Sequence, residues 1–232
     1  MLTDKEREDA KRFLQDLRLH LNQVPAPKIV RSWIDEHKKS AKNVEFEGAF
    51  LSEHVLPLVS EYLRQVRGLT QEQIQTALLA ESRSFRKGVT GWLSPISKDK
   101  YLFTKEFGVA STSLTKSWWN KDGKSPVAQS CPDFAFQEPC PKVVFEAKLF
   151  RRGGPEAAKA ELVRAIYQCM FYRSHPSVPA TKRHAKWDYD FACLLAYDAS
   201  EAQSMVEAWR TVRHDVQNSC WDSANIFVMV LP

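Results

Sequence analysis

The stretch that decides the fold is Val143-Val-Phe-Glu-Ala-Lys-Leu-Phe150, which is apolar at every position except Glu146 and Lys148. A short apolar run rich in Val and Phe is typical of a strand buried in a sheet. Because side chains alternate along a strand, Glu146 and Lys148 share one face and Ala147 lies behind them. Burial of either charge is costly unless that charge is paired or bound to an ion, so both residues are candidates for a functional role.

A partner strand is predicted over residues 130–137, just before the turn-forming sequence Glu138-Pro-Cys-Pro141. If residues 138–141 form the hairpin loop, the register places Asp133 opposite Glu146. Like charges at directly opposed positions repel each other, and a hard divalent cation removes that repulsion. Oxygen atoms of Asp133, Glu146 and the Ala147 carbonyl suit Mg²⁺. The sequence therefore predicts a magnesium site, at which Mn²⁺ is an expected substitute.

The rest of the chain predicts an α/β fold. Downstream of the hairpin, helices over 155–172 and 201–212 alternate with strands over 189–197 and 225–231, which implies a central mixed β-sheet flanked by helices. The helix over 155–172 is expected to bury a stripe of Leu162, Ile166, Cys169 and Met170. Upstream the pattern is helical: Leu14, Leu17 and Leu21 recur at helical spacing, and further helices are predicted over 47–66, with a kink at Pro57, and over 70–80. The helix over 70–80 is expected to start at an N-cap, Thr70. We divide the chain into an N-terminal helical region, 1–42, and a main domain, 43–232.

Residues 82–126 form a predicted insertion of loops and short strands. They hold nine Lys/Arg against three acids, together with seven aromatic residues. Long loops in compact domains are usually functional, and basic residues among aromatic ones favour a nucleic-acid partner. We expect Lys116, Lys121 and Lys124 to contact nucleic acid. An aromatic cluster that is only local core is the alternative.

Composition narrows the class of protein. The charged start of the chain is unlike a secretory signal, and no apolar stretch approaches the ~18 residues of a membrane span, so a cytoplasmic protein without membrane contact is expected. Five cysteines without CxxC or CxxH spacing indicate neither a disulfide framework nor a structural zinc site.

Pro132-Asp133, twelve further residues and then Glu146-Ala147-Lys148 resemble the signature of the PD-(D/E)XK nucleases. The resemblance implies a restriction-endonuclease-like core in which Asp133 and Glu146 hold the metal. It implies that Lys148 orients or activates the attacking water and stabilises charge on the phosphate. Farther along the chain, Gln168-Cys-Met-Phe-Tyr172 is similar to the QxxxY element of the RecB-like members, which implies that Gln168 and Tyr172 belong to the catalytic site.

Two further groups are assigned with alternatives left open. Members of this family often add an acid from the preceding helix, and Glu47 is preferred over Glu53 because it lies nearer the apolar stripe of that helix. A first-turn acid favoured by the helix dipole is an equal alternative for Glu47. Arg151 and Arg152 are expected to contact phosphate, and a solvated loop is equally compatible with the sequence.

The expected function is a metal-dependent endonuclease that hydrolyses DNA phosphodiester bonds, of restriction or defence type. A DNA-end-processing or recombination nuclease is the first alternative. A catalytically inactive nuclease fold that serves as a nucleic-acid-binding module is the second. DNA is the expected partner, RNA remains open, and a homodimer is a further expectation.

Overall fold

A computed structural model describes residues 2–23, 50–84, 89–92, 133–174 and 189–232 of the chain. Its helices are α1 (Asp4–Gln23), α2 (Leu56–Gln65), α3 (Gln71–Ala77), α4 (Pro155–Ser174), α5 (Ser204–Arg210) and α6 (His214–Asp222). Its strands are β1 (Leu78–Ser84), β2 (Val89–Trp92), β3 (Phe134–Phe136), β4 (Val143–Phe150), β5 (Phe191–Asp198) and β6 (Ile226–Leu231). Among these residues, no helix combines the length and apolar composition that crossing a membrane requires.

The strands form one sheet in the order β2-β1-β3-β4-β5-β6. Strands β4, β5 and β6 run parallel, whereas the neighbours β2, β1, β3 and β4 pair antiparallel. Helix α4 connects β4 to β5, and α5 and α6 connect β5 to β6, as parallel neighbours require a crossover. The predicted mixed sheet flanked by helices is therefore confirmed.

The β3–β4 hairpin has the predicted register over its paired residues. Phe136 pairs with Val143, and Phe134 pairs with Phe145. Pairing ends there, because Asp133 donates its backbone N–H to the carbonyl of Phe145, at 3.0 Å, rather than pairing with Glu146. The observed strand is shorter than the predicted 130–137, of which residues 130–132 lie outside the described part of the chain.

Aromatic packing fixes the face of the sheet opposite to Glu146. Phe145 stacks on Phe134 with ring centroids 4.1 Å apart, and Phe13 of α1 meets Phe136 edge to face at 5.3 Å. The predicted stripe of α1 is confirmed, since Leu14, Leu17 and Leu21 are all buried in the same hydrophobic core. Helix α1 thus covers one face of the sheet, which leaves the other to α4.

The helices before the sheet depart from the prediction in two places. The predicted helix over 47–66 contains a π-helical turn, Leu51–Val55, and Pro57 lies in the first turn of α2 that follows it. The capped start at Thr70 is also as predicted, with Thr70 and Gln73 bonded reciprocally. The predicted end at residue 80 is wrong, because the chain becomes β1 at Leu78, where pairing with Phe136 replaces helical hydrogen bonds.

The last helices also differ. The predicted helix over 201–212 is shorter, since α5 spans Ser204–Arg210, and the following helix α6 was not predicted. Helix α4 extends to Ser174 and buries Leu162 and Cys169 as expected. Met170, assigned to the same buried stripe, is 46% exposed, because the buried face of α4 turns toward Gln168 and Tyr172 instead.

Candidate active site

Strand β4 presents Glu146 and Lys148 on one face, as the alternation predicts. Glu146 is 3% exposed, and its Oε1 lies 2.6 Å from the Nζ of Lys148. A carboxylate this deeply buried needs a charged or hydrogen-bonding partner, and the ammonium group two residues away supplies one. The chain itself therefore neutralises Glu146.

Helix α4 closes over this pair. The hydroxyl of Tyr172 donates a hydrogen bond of 2.9 Å to Oε2 of Glu146, so each carboxylate oxygen has its own partner. Gln168 lies one turn earlier on the same helix, and both side chains are buried. Burial excludes the alternative that Gln168 and Tyr172 are simply a polar edge on the helix surface. The helix element and the strand element singled out from the sequence thus meet in space.

Asp133 lies at the point where β3 ends. Its Oδ2 accepts a hydrogen bond of 2.7 Å from the backbone N–H of Ala147, and the residue is half-buried. The N–H and C=O of one strand residue point to the same side of the strand. The Ala147 carbonyl consequently points toward the edge of β4 occupied by Asp133, while the Glu146 side chain projects from the adjacent sheet face.

Cys169 lies beneath the cluster, between Gln168 and Tyr172 in the sequence. Burial raises the pKa of its thiol well above the usual value, and the negative charge of Glu146 raises this pKa further. Lys148 and a hydrogen bond with the backbone of Glu146 act in the opposite direction. The thiol is therefore a neutral packing group, not a nucleophile. From the sequence, Cys169 is expected only as part of a buried stripe, because its proximity to Glu146 depends on the packing of α4 against β4.

The donor set fits a hard divalent cation. Two carboxylates and a backbone carbonyl supply oxygen, and Mg²⁺ typically retains several waters beside one or two carboxylates. In the described part of the chain, no three His, Cys, Asp or Glu residues come together as a metal-binding group. Asp133, Glu146 and Ala147 would hold the ion, and Lys148 would have to share Glu146 with it.

Comparison with family models, with curated proteins and with solved structures finds no match to this chain. Function is therefore inferred from the residues of this chain alone. Their resemblance to the nuclease signature and their geometry are separate observations, because the signature concerns spacing along the chain and the geometry concerns contacts between β4 and α4.

Of the remaining predicted residues, the structure describes Arg151, Arg152 and Glu53. Arg151 is half-buried and Arg152 exposed in the turn after β4. Glu53, the less favoured helix acid, is solvent-exposed on the π-helical turn. Glu47, Lys116, Lys121 and Lys124 lie outside the described residues.

A second buried carboxylate was missed by the sequence analysis. Asp198, at the end of β5, is 3% exposed. Its Oδ1 accepts from the N–H and hydroxyl of Ser200, and its Oδ2 accepts from the N–H groups of Met205 and Val206. The spacing Asp198-Ala-Ser200 after an apolar strand is a turn signal that would have identified it.

Proposed function

We propose that this protein is a metal-dependent endonuclease that hydrolyses DNA phosphodiester bonds, of restriction or defence type. The observation that carries the proposal is the buried Glu146, held by Lys148 and Tyr172. Asp133 is held beside Glu146 by a hydrogen bond that its carboxylate accepts from the backbone N–H of Ala147. An apolar strand has no structural need for this set, and burying it costs free energy that a function would explain.

Each residue has a role in phosphodiester hydrolysis. Bound Mg²⁺ supplies a Lewis acid and a water of lowered pKa. Asp133 and Glu146 would hold that ion with their carboxylate oxygens, and Tyr172 fixes the orientation of Glu146 through its 2.9 Å hydrogen bond. Lys148 holds positive charge next to Glu146, where it stabilises the developing negative charge of the phosphate.

Charge distribution supports a nucleic-acid substrate. Residues 149–186 hold eight Lys/Arg against two acids, and Arg152 is exposed immediately after β4. Such basic segments beside a site attract a polyanion, and contacts to phosphate position it without reading its sequence. Lys116, Lys121 and Lys124 in the predicted insertion belong to the same proposed surface, and a homodimer remains part of the proposal.

The internal pairing of Glu146 favours one other candidate function. A carboxylate that already has an ammonium and a phenol as partners is also what a nuclease fold would keep as buried structure after losing activity. The second candidate is therefore a catalytically inactive module that binds nucleic acid. Metal-dependent cleavage separates the two.

The test is incubation of the protein with supercoiled plasmid, with and without Mg²⁺, beside the Asp133→Asn variant. Asp9→Asn is the matched control, since Asp9 is exposed on α1. We expect Mg²⁺-dependent nicking by the wild type and by the control, and none by Asp133→Asn, although that variant still retards DNA in a gel. Binding without cleavage by the wild type would favour the inactive module, and cleavage of RNA alone would overturn the choice of DNA.

A further inference from the structure

A cleft of about 340 Å³ opens at the carboxyl end of β6, between α1 and α5. Arg18 and Asn22 come from α1, whereas Trp209 and Arg210 come from α5, and Gln203 lies at the start of that helix. The floor is the apolar end of β6. The volume falls within the range of small-molecule sites, which combine an apolar lining with a few polar groups.

The charged side chains that line the cleft are basic. They are Arg18 and Arg210, and no Asp or Glu side chain is among the described residues that line it. Within the described chain, Arg18 takes part in no hydrogen bond or ion pair. Arg210 pairs with Glu207 at 2.7 Å, but both side chains are more than half exposed, so this pair is weak and an anion competes for the guanidinium. A guanidinium group can donate two parallel hydrogen bonds to a phosphate, a bidentate contact that a halide cannot accept in the same way.

Two further features, Trp209 and the backbone conformation of Gln203, indicate a binding site for a ligand that carries a ring. Trp209 lines the cleft and is only half-buried, so part of it is open to a ligand, and an indole gains from stacking on a flat ring. Gln203 has φ 48° and ψ 42°, a left-handed conformation that is uncommon for residues other than Gly, Asn or Asp. Backbone strain of this kind concentrates at binding sites, and here it accompanies an amide that lines the cleft.

We propose that this cleft binds a small anion that carries a planar ring, of the class of a nucleoside monophosphate. Arg18 and Arg210 bind the phosphate, the amides of Asn22 and Gln203 donate further hydrogen bonds, and Trp209 stacks on the base. The cleft is separate from the candidate active site. It opens at the end of β6, and Glu146 belongs to β4, with β5 between them. Its ligand is thus a free nucleotide, not the scissile phosphate of a nucleic acid.

The experiment is isothermal titration of the full chain with AMP, inorganic phosphate and adenosine. AMP should bind with a dissociation constant at least about tenfold lower than either fragment, because it uses both halves of the cleft. Arg18→Ala should weaken AMP binding by about tenfold or more, the factor that corresponds to losing a hydrogen bond to a charged group. Arg12→Ala is the matched control, since Arg12 is exposed on the same helix outside the cleft, and it should bind AMP like the wild type.

Two further variants make the result decisive. Trp209→Leu should weaken AMP and adenosine but leave inorganic phosphate unchanged, and circular dichroism checks that the variant folds. Glu146→Gln should bind AMP like the wild type, so a failed nuclease assay and a failed nucleotide assay remain distinguishable. Absence of AMP binding at millimolar concentration, or equal losses in Arg18→Ala and Arg12→Ala, would overturn the proposal.

Discussion

Two carboxylates, Glu146 and Asp198, lie on neighbouring parallel strands and are equally buried, at 3% exposure each. Their partners differ in kind. Asp198 accepts hydrogen bonds from three backbone N–H groups and one hydroxyl, all within residues 200–206. Glu146 is held by two long side chains, the ammonium of Lys148 and the phenol of Tyr172.

The difference is the one expected between a structural carboxylate and the functional one that we propose. Backbone donors are fixed by α5 and its preceding turn, so Asp198 caps that helix and has no oxygen left for a ligand. Ser204 extends the same network, since its hydroxyl donates to the carbonyl of Gly153 in the turn after β4. Side-chain donors can rotate away, so Glu146 can exchange a partner for a cation.

The largest expected effect is on cleavage by Glu146→Gln. Loss of a metal ligand removes several kcal/mol of transition-state stabilisation, so the cleavage rate should fall by at least about 1000-fold. Single-turnover cleavage of plasmid in Mg²⁺ measures it. Glu156→Gln is the matched control, because Glu156 is an exposed glutamate in the first turn of α4. Equal rates in the two variants would remove Glu146 from the mechanism.

The opposite outcome is expected at Asp198. Asp198→Ala leaves the N–H groups of Ser200, Met205 and Val206 buried without an acceptor, which should lower the free energy of unfolding by about 3 kcal/mol or more. Urea denaturation measures this loss. Glu146→Gln should cost less, because the amide oxygen can accept from the Lys148 ammonium while the Tyr172 hydroxyl accepts from the amide N–H. If Glu146→Gln were the more destabilising change, the distinction between the two carboxylates would fail.

Mg²⁺ should stabilise the protein through the site at Asp133 and Glu146, and not through the hydrogen bonds around Asp198. At a hundredfold excess over its dissociation constant, Mg²⁺ should raise the free energy of unfolding by about 2.7 kcal/mol. Thermal melts with and without Mg²⁺ should show this gain in the wild type and in Ser204→Ala, but not in Asp133→Asn. A wild-type melting temperature that does not respond to Mg²⁺ or Mn²⁺ would make both carboxylates structural.

Tyr172→Phe tests the contribution of a single side-chain donor to Glu146, the hydrogen bond from the Tyr172 hydroxyl. Without the phenol, Glu146 keeps Lys148 but loses its fixed orientation, so the cleavage rate should fall by about tenfold, as expected for one hydrogen bond to a charged group. Tyr167→Phe is the control on the same helix, where Tyr167 is 39% exposed. An unchanged rate in Tyr172→Phe would mean that α4 only packs over the site.

The smallest expected effect is on DNA binding by the turn after β4, which contains Arg152 and whose Gly153 carbonyl accepts a hydrogen bond from Ser204. Arg152→Ala should weaken binding at all sequences and reduce the slope of log K against log salt by about one, the contribution of a single phosphate contact. Filter binding over a salt series measures the slope, with Arg12→Ala as control. An unaltered slope would assign Arg152 to a solvated loop.

Sequence patterns predicted those features of the fold that depend on residues close together in the chain. The alternation in β4, the helical spacing of α1 and the cap at Thr70 each depend on neighbours a few residues away, and all three were predicted. The end of α3 was not predicted, because Leu78-Leu-Ala80 is compatible with a helix until Phe136 and its neighbours are available for pairing. The later start of α5, at Ser204 instead of residue 201, was missed for a similar reason, since Asp198 accepts from the N–H groups of Met205 and Val206 from outside the helix.

The sequence by itself determined the α/β class, the register of Phe136 with Val143 and the shared face of Glu146 and Lys148, because strand alternation and turn residues act within one hairpin. Only the tertiary structure decided which groups hold Glu146, that Asp198 is a cap, and that Arg18 and Arg210 face one cleft. Those contacts join segments far apart in the chain, and no short-range periodicity encodes which distant surfaces will pack together.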